Sequence, residues 1–227
     1  MQGSRAFFTI AVFAGIVARP QPCNAQARPY FGAVGGVSTL SADASTAINA
    51  DSAAASSYKP ENGPTVGAFG GLHWTNHFSV QVDYLWNRNL LTLDSLAAST
   101  TGATTKLFEQ TFRSGQQSAF GSALLYFRSR SSWVRPFLSA GTGVVHLTAE
   151  PRTAGTVSGL SPPGRFSATE PALHVAVGID LKLKSGWGFR YSFAETSSSN
   201  PISRQLTPRG SRMLANFRNL FGVVKYF

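Results

Sequence analysis

Residues 173–184 read Leu-His-Val-Ala-Val-Gly-Ile-Asp-Leu-Lys-Leu-Lys, so an aliphatic residue occupies every second position. Side chains of a β-strand point alternately to its two faces, and this period of two predicts a strand with one wholly aliphatic face. The other face carries small or charged residues. After Ser185 and Gly186 the alternation resumes at Trp187, which predicts a hairpin with a tight turn.

The same alternation recurs along the rest of the chain. Residues 78–87 alternate Phe, Val, Val, Tyr and Trp with Ser, Gln, Asp, Leu and Asn. Strands are predicted at residues 30–40, 65–74, 78–91, 108–127, 133–147, 172–184, 187–194 and 213–227. The connections between these eight strands are alternately long and short. This order predicts an all-β fold, an eight-stranded antiparallel up-and-down transmembrane β-barrel with long loops at one rim and tight turns at the other.

A soluble sheet with one wet face gives the same alternation within any single strand. Two features favour a membrane barrel. The polar faces are rich in Gly, Ala and Ser with isolated charges of both signs, as expected of a narrow lumen. In addition, four tryptophans lie near strand ends, where an aromatic belt contacts the membrane interface. They are Trp74, Trp86, Trp133 and Trp187. A soluble secreted β-barrel that binds a hydrophobic ligand is the alternative.

Residues 1–27 predict a cleaved secretory signal peptide, which leaves residues 28–227 as the outer-membrane β-barrel. The leader has a basic start, a largely apolar run at residues 6–18 and the small residues Ala25 and Ala27 before the expected cleavage. Cys23, the only cysteine, lies in this leader. The mature chain therefore has no thiol for a disulfide, a metal site or a nucleophile.

Charge and composition indicate a surface protein and no nucleic-acid partner. The formal net charge is +10, and removal of Arg5 and Arg19 with the leader lowers it to +8. The basic residues are scattered, which favours attraction to anionic outer-membrane lipid and lipopolysaccharide over a basic nucleic-acid site. The long connections, such as residues 41–57, contain few large apolar residues. They are predicted to be structureless extracellular loops with an unknown partner.

Charged residues on the polar faces are predicted to form a paired network in the lumen. Eight strands leave an interior that side chains fill, and an unpaired charge there is costly. The predicted members are Asp83, Asp180, Lys182, Arg190 and Arg128. Structural plugging is the first interpretation of this network, and a proton or ion path is the alternative.

Nothing in the sequence predicts a catalytic, cofactor or metal site. Four histidines are available, and none stands in the H-x-S or G-x-S-x-G arrangements that place a base beside a serine. His73 and His77 have the spacing of a helical metal pair, but they fall on a strand end and a turn, so they share no face. We predict a protein that is not an enzyme.

Two segments carry a resemblance to a known family. Leu124-Leu125-Tyr126-Phe127, followed after a short turn by Arg135-Pro136-Phe137-Leu138-Ser139-Ala140-Gly141-Thr142-Gly143, resembles the mid-barrel hairpin of small eight-stranded outer-membrane barrels, similar to the barrel domain of outer membrane protein A. The ending at residues 222–227 is similar to the closing strand of that family, although Lys225 stands where the family prefers an aromatic residue.

The resemblance implies an integral protein of the bacterial outer membrane with both termini in the periplasm. It also implies that Phe227 carries the signal read by the barrel-assembly machinery. The expected function is non-enzymatic, in envelope structure or surface interaction through four extracellular loops. The alternatives are a narrow ion or small-solute channel and a lipid-modifying enzyme.

Overall fold

The computed structural model describes residues 27–41, 43–49, 52–99, 104–152, 156–157, 162–206 and 212–227. Residues 1–26 of the predicted leader, which spans residues 1–27, lie outside these ranges. No helix among the described residues is long and apolar enough to span a membrane. The strands are β1 (Arg28–Leu40), β2 (Asp43–Asn49), β3 (Ser52–Pro60), β4 (Gly63–His73), β5 (Phe78–Ser99), β6 (Thr104–Tyr126), β7 (Val134–Pro151), β8 (Thr156–Val157), β9 (Phe166–Lys182), β10 (Trp187–Ser199) and β11 (Met213–Tyr226), with 3-10 turns at Lys184–Gly186 and Ser203–Gln205.

Eight strands form a closed antiparallel ring, which confirms the predicted barrel. Around the ring the order is β1, β4, β5, β6, β7, β9, β10 and β11, and β11 returns to pair with β1. The closing pair runs from Tyr30 opposite Tyr226 to Leu40 opposite Asn216, which fixes the register of the last strand. Closure gives the backbone groups of every ring strand a partner on both sides, as a hydrocarbon environment demands.

The short connections all lie at one end of the barrel, here called the turn end. They are residues 74–77, 127–133 and 183–186. In the last of these, Ser185 and Gly186 have φ angles of 61° and 73°. Two successive left-handed residues match the twist of the flanking strands and allow a tight hairpin. The opposite end, which carries the long connections, is the loop end.

The expectation of structureless loops is wrong for much of the loop end. β5 and β6 continue as a paired ribbon to Ser99 and Thr104, and the first long connection contains the β2–β3 hairpin, whose second strand pairs with β5. The composition of this connection favours a loop, but the alternation of inward and outward side chains continues from β5 and β6 into the ribbon. Leu91, Leu93 and Phe112 face inward and are 0% exposed, so they bury apolar surface that stabilises the extension.

The two faces of the ring strands are chemically distinct. Leu173, Val175 and Val177 on β9 are 61%, 51% and 51% exposed, whereas His174 and Asp180 on the same strand are buried. The apolar side chains therefore point outward, and the charged ones point into the barrel. This arrangement is the reverse of a soluble sheet with a single wet face.

Candidate functional site

The interior near the turn end contains a buried ion pair. Asp180 on β9 and Arg190 on β10 are cross-strand neighbours, and their side chains are 0% and 3% exposed. Arg190 donates Nε to Asp180 Oδ1 at 2.6 Å and Nη2 to Oδ2 at 2.8 Å. Paired hydrogen bonds to one carboxylate are a strong arrangement. Since both charges are withdrawn from water, each depends on the other.

Neutral polar groups complete this cluster and carry it across the barrel. Tyr126 and Tyr226 donate their hydroxyls to Asp180 Oδ2 at 3.0 and 2.8 Å. Arg190 donates Nη1 to Gln81 Oε1 at 2.8 Å. Gln81 lies on β5, four strands from β10 in the ring of eight and thus directly opposite. The cluster therefore bridges the lumen.

Asp83 is also inside the barrel, next to this bridge. Its carboxylate accepts hydrogen bonds from Gln81 Nε2 at 2.6 Å and from Ser122 Oγ at 3.2 Å. Of the five charged residues predicted for the lumen, the structure thus brings together Asp83, Asp180 and Arg190.

The other two predicted network residues lie elsewhere. Lys182 is only half-buried at the turn-end rim, where it donates to the backbone oxygen of Arg130. Arg128 is exposed in the turn that follows β6 and lies outside the interior cluster. The prediction that Arg128 points inward extended the alternation beyond Tyr126, where β6 ends.

A second bridge, at Arg218, is absent from the sequence-based predictions. Arg218 on β11 is 0% exposed and donates to Thr196 Oγ1 at 2.6 Å, Ser118 Oγ at 3.3 Å and Asn87 Oδ1 at 3.4 Å. Ser118 lies on β6, directly opposite β11. A third bridge lies two residues nearer the loop end on β11. There Asn216 Nδ2 donates to Gln116 Oε1 on β6.

An apolar cluster, here called the stopper, closes the loop end of the interior. Residues 200–206, which follow β10, fold over the loop-end opening, and Asn200 Oδ1 accepts the backbone N–H groups of Ile202 and Ser203, which stabilises the turn. Ile202 and Leu206 are 0% and 2% exposed. The buried members are Leu40, Tyr58, Leu91, Leu93, Phe108, Phe112, Leu147, Ala149, Ile202, Leu206 and Leu214.

Little space is left between these layers. A cavity of ≈ 30 Å³ lies between the turn-end cluster and His174, which is enough for only about two water molecules. The described interior is therefore packed, with three polar bridges and an apolar stopper stacked along its axis.

The Outer membrane protein beta-barrel domain family matches residues 8–211. The chain belongs to this family. It is accordingly an outer-membrane β-barrel protein. No curated protein matches the sequence.

The chain is similar to solved structures of outer-membrane barrels. Neisserial surface protein A is 16% identical, with a TM-score of 0.51 and coverage of 88% of this chain and 97% of that one. The outer membrane protein OprG of Pseudomonas aeruginosa is 13% identical, with a TM-score of 0.43 and coverage of 87% and 95%. The outer membrane protease OmpT of Escherichia coli is 8% identical, with a TM-score of 0.43 and coverage of 92% and 99%.

The tryptophans of this outer-membrane protein lie at two levels on its outer face. Trp74, Trp133 and Trp187 are 60%, 69% and 46% exposed, and all lie at the turn end. Trp86 is partly exposed on β5, eight residues beyond Phe78. Because the strand is tilted, this distance corresponds to roughly 20 Å along the barrel axis. This separation is close to the height of the apolar band of such barrels.

The last strand carries two polar residues on the outer face, and each has a partner. Asn219 Oδ1 accepts the Tyr191 hydroxyl at 3.2 Å. Lys225 lies at the turn-end rim, where its Nζ donates to Ser185 O at 2.8 Å and lies 5.1 Å from the Trp187 ring centroid. Phe227 is 59% exposed at the same rim, and its backbone N–H donates to Pro29 O.

A buried serine–histidine contact lacks the third member of a hydrolase site. His73 Nδ1 is hydrogen-bonded to Ser79 Oγ, and its Nε2 faces Arg135 Nη1 at 3.4 Å. A triad needs a carboxylate at that position to stabilise the imidazolium, and a guanidinium does the opposite. Among the described residues, no three His, Cys, Asp or Glu side chains group as metal ligands.

Proposed function

We propose that the protein is a sealed, non-enzymatic barrel that holds structured loops at the cell surface for envelope structure or surface interaction. One observation carries the proposal: side chains on opposite strands join at three levels, and an apolar stopper closes the loop end. Outer-membrane lipid and lipopolysaccharide contact the apolar outer face, and the barrel-assembly machinery reads Phe227. Both termini and the turn end face the periplasm.

Planar-bilayer recording separates this function from a narrow channel. Passage of a hydrated ion requires the Arg190–Gln81 and Arg218–Ser118 bridges to break and the apolar cluster to open. We therefore expect no discrete conductance steps from purified protein at neutral pH. Regular steps in wild-type protein whose size changes in an Arg218→Gln variant would establish a conducting lumen and refute a sealed barrel.

The ribbon formed by β5 and β6, together with the β2–β3 hairpin, supports a role at the surface. These strands continue beyond Trp86 and form a platform with exposed charges such as Lys59. A chain that served only to fill a bilayer has no need of this extension. The partner of the platform is an unidentified extracellular molecule.

Cysteine labelling in intact cells tests the orientation. The expected mature chain has no thiol, so Lys59→Cys at the loop end and Ser131→Cys at the turn end each introduce a single reactive site. We expect a membrane-impermeant maleimide to label the first in intact cells and the second only after permeabilisation. The opposite pattern would place the loop end in the periplasm and exclude a surface function.

A further inference from the structure

A pocket of ≈ 300 Å³ opens at the turn end of the barrel and adjoins the ion-pair cluster through Tyr226. Its volume is at the lower end of the range for pockets that hold small molecules. The residues that line it are Arg28, His73, Asn76, Arg130, Ser131, Lys182, Tyr226 and Phe227. They come from strand ends and two facing turns, so the pocket is the mouth of the barrel.

Two contacts across the mouth give this pocket a defined shape. Arg130, in the turn between β6 and β7, donates Nε to Asn76 Oδ1 at 3.1 Å in the turn between β4 and β5. Lys182 at the end of β9 donates to the Arg130 backbone oxygen and lies over the Tyr226 ring. The turn is thereby held against both sides of the opening.

The charged side chains that line the pocket all have the same sign. Three of its eight lining side chains are cationic, and none is an aspartate or a glutamate. Asp180, deeper in the barrel, is engaged with Arg190 and two tyrosines. Like charges in one small mouth repel each other, and an anion between them relieves that repulsion.

Arg135 supplies an independent observation behind the same pocket. It is 0% exposed, yet its contacts are to His73 Nε2, to the Asn76 backbone oxygen at 3.2 Å and to the face of the Tyr126 ring. Its Nε has no hydrogen-bond partner. A fully buried guanidinium next to two pocket-lining residues, without a carboxylate in contact, adds a fourth positive charge to the site.

We propose that the turn-end mouth is a binding site for a phosphate group, with Arg28, Arg130 and Lys182 as the contacting cations and Arg135 as a fixed charge behind them. Guanidinium groups present paired donors that fit phosphate oxygens, and Asn76 and Ser131 add neutral donors. The Tyr226 ring offers an apolar surface beside the anion. The phosphate belongs either to a small soluble ester or to a phospholipid headgroup.

Calorimetric titration of the refolded full chain in dodecyl maltoside tests this site, with inorganic phosphate and glycerol phosphate as the probes. We expect Arg28→Gln and Lys182→Gln each to weaken binding by roughly tenfold, since each removes one charge-assisted contact. Lys184→Gln is the matched control, because this exposed lysine is on the same rim but does not line the pocket. A gel shift on boiling verifies that each variant is folded.

Repeating the titration in phosphatidylglycerol nanodiscs distinguishes the two sources of phosphate. Binding that persists in nanodiscs indicates a soluble ester, and binding lost there but present in maltoside indicates that lipid headgroups occupy the site. The absence of binding in both media, or equal weakening by Lys184→Gln, would overturn the proposal. Because the lumen need not conduct for the mouth to bind phosphate, this failure is distinct from a failure of the proposed function.

Discussion

Replacement of Asp180 by asparagine is the most direct test of the buried cluster. Asp180 accepts four hydrogen bonds, two from Arg190 and one each from Tyr126 and Tyr226. An asparagine keeps one acceptor oxygen for the tyrosines but turns an amide N–H toward the guanidinium. Arg190, 2% exposed, is then left without a carboxylate in contact. Removal of one partner of a buried ion pair costs about 3–5 kcal/mol, and we expect this loss for Asp180→Asn.

Equilibrium urea unfolding in lipid vesicles, followed by tryptophan fluorescence, measures the loss. The double variant Asp180→Asn with Arg190→Met removes the orphaned charge, so we expect it to recover at least about 2 kcal/mol relative to Asp180→Asn alone. Glu61→Gln, at an exposed position near the loop end, is the matched control. The single variant Arg190→Met completes the cycle. If Asp180→Asn costs less than about 1 kcal/mol, or if the losses in the two single variants simply add in the double variant, the ion pair does not hold the cluster together.

Three further predictions address the outer face, the stopper and the ribbon. Val177→Arg, near the middle of the lipid-facing band, is expected to cost about 2–4 kcal/mol and Leu173→Arg, nearer its loop-end edge, about 0–1 kcal/mol; equal costs in vesicle unfolding would contradict the assigned depth. Ile202→Ala is expected to cost about 2–5 kcal/mol and Met213→Ala, at an exposed position, less than about 0.5 kcal/mol; the stopper is refuted if the two variants unfold alike. Burial and the facing Glu109 raise the pKa of Asp94, which lies beyond the membrane span. A carboxyl group whose pKa is raised by folding destabilises the protein as the pH rises toward that pKa, and it has no effect well below the pKa of the unfolded chain. Asp94→Asn should therefore raise the thermal midpoint at about pH 8 and leave it unchanged at about pH 3. The reverse pH dependence would contradict this.

The alternation of side chains was sufficient to predict the ring of strands and the inward direction of Asp180 and Arg190. Both properties are local, because the period of two fixes which face a residue occupies once the strand is known. Arg135 could have been found by the same signal, since it alternates with Val134 and Pro136. The contacts of Arg135 could not have been predicted in this way. Asn76 lies in the turn between β4 and β5 and Tyr126 lies on β6, so both meet Arg135 only once the barrel has folded.

Arg218 shows where the sequence ceases to be informative. Polar residues stand on both faces of its strand, with Asn219 outward and Asn216 inward, so the alternation is weak there. Besides Thr196 on the adjacent strand, its partners are Asn87 and Ser118, which lie three and four strands around the ring at sequence separations of 131 and 100 residues. Those contacts depend on the stagger of the closed barrel, which no local pattern encodes.

The two ends of the interior differ in a way that links the sealed lumen to the phosphate site. In the part of the chain that the structure describes, the buried charged side chains are two carboxyl groups, Asp83 and Asp180, and three guanidinium groups, Arg135, Arg190 and Arg218. Toward the turn end three more cations are added, whereas the loop end closes with apolar side chains.

An anion is therefore attracted into the mouth as far as Arg135 and is stopped there by the Arg190–Asp180 bridge, while a cation is repelled at the entrance. A sealed barrel and an anion-binding mouth are compatible for this reason. If planar bilayers gave anion-selective conductance that phosphate blocked, the mouth would retain its assigned chemistry, but the bridges at Arg190 and Arg218 would have to open, and the sealed lumen would be refuted.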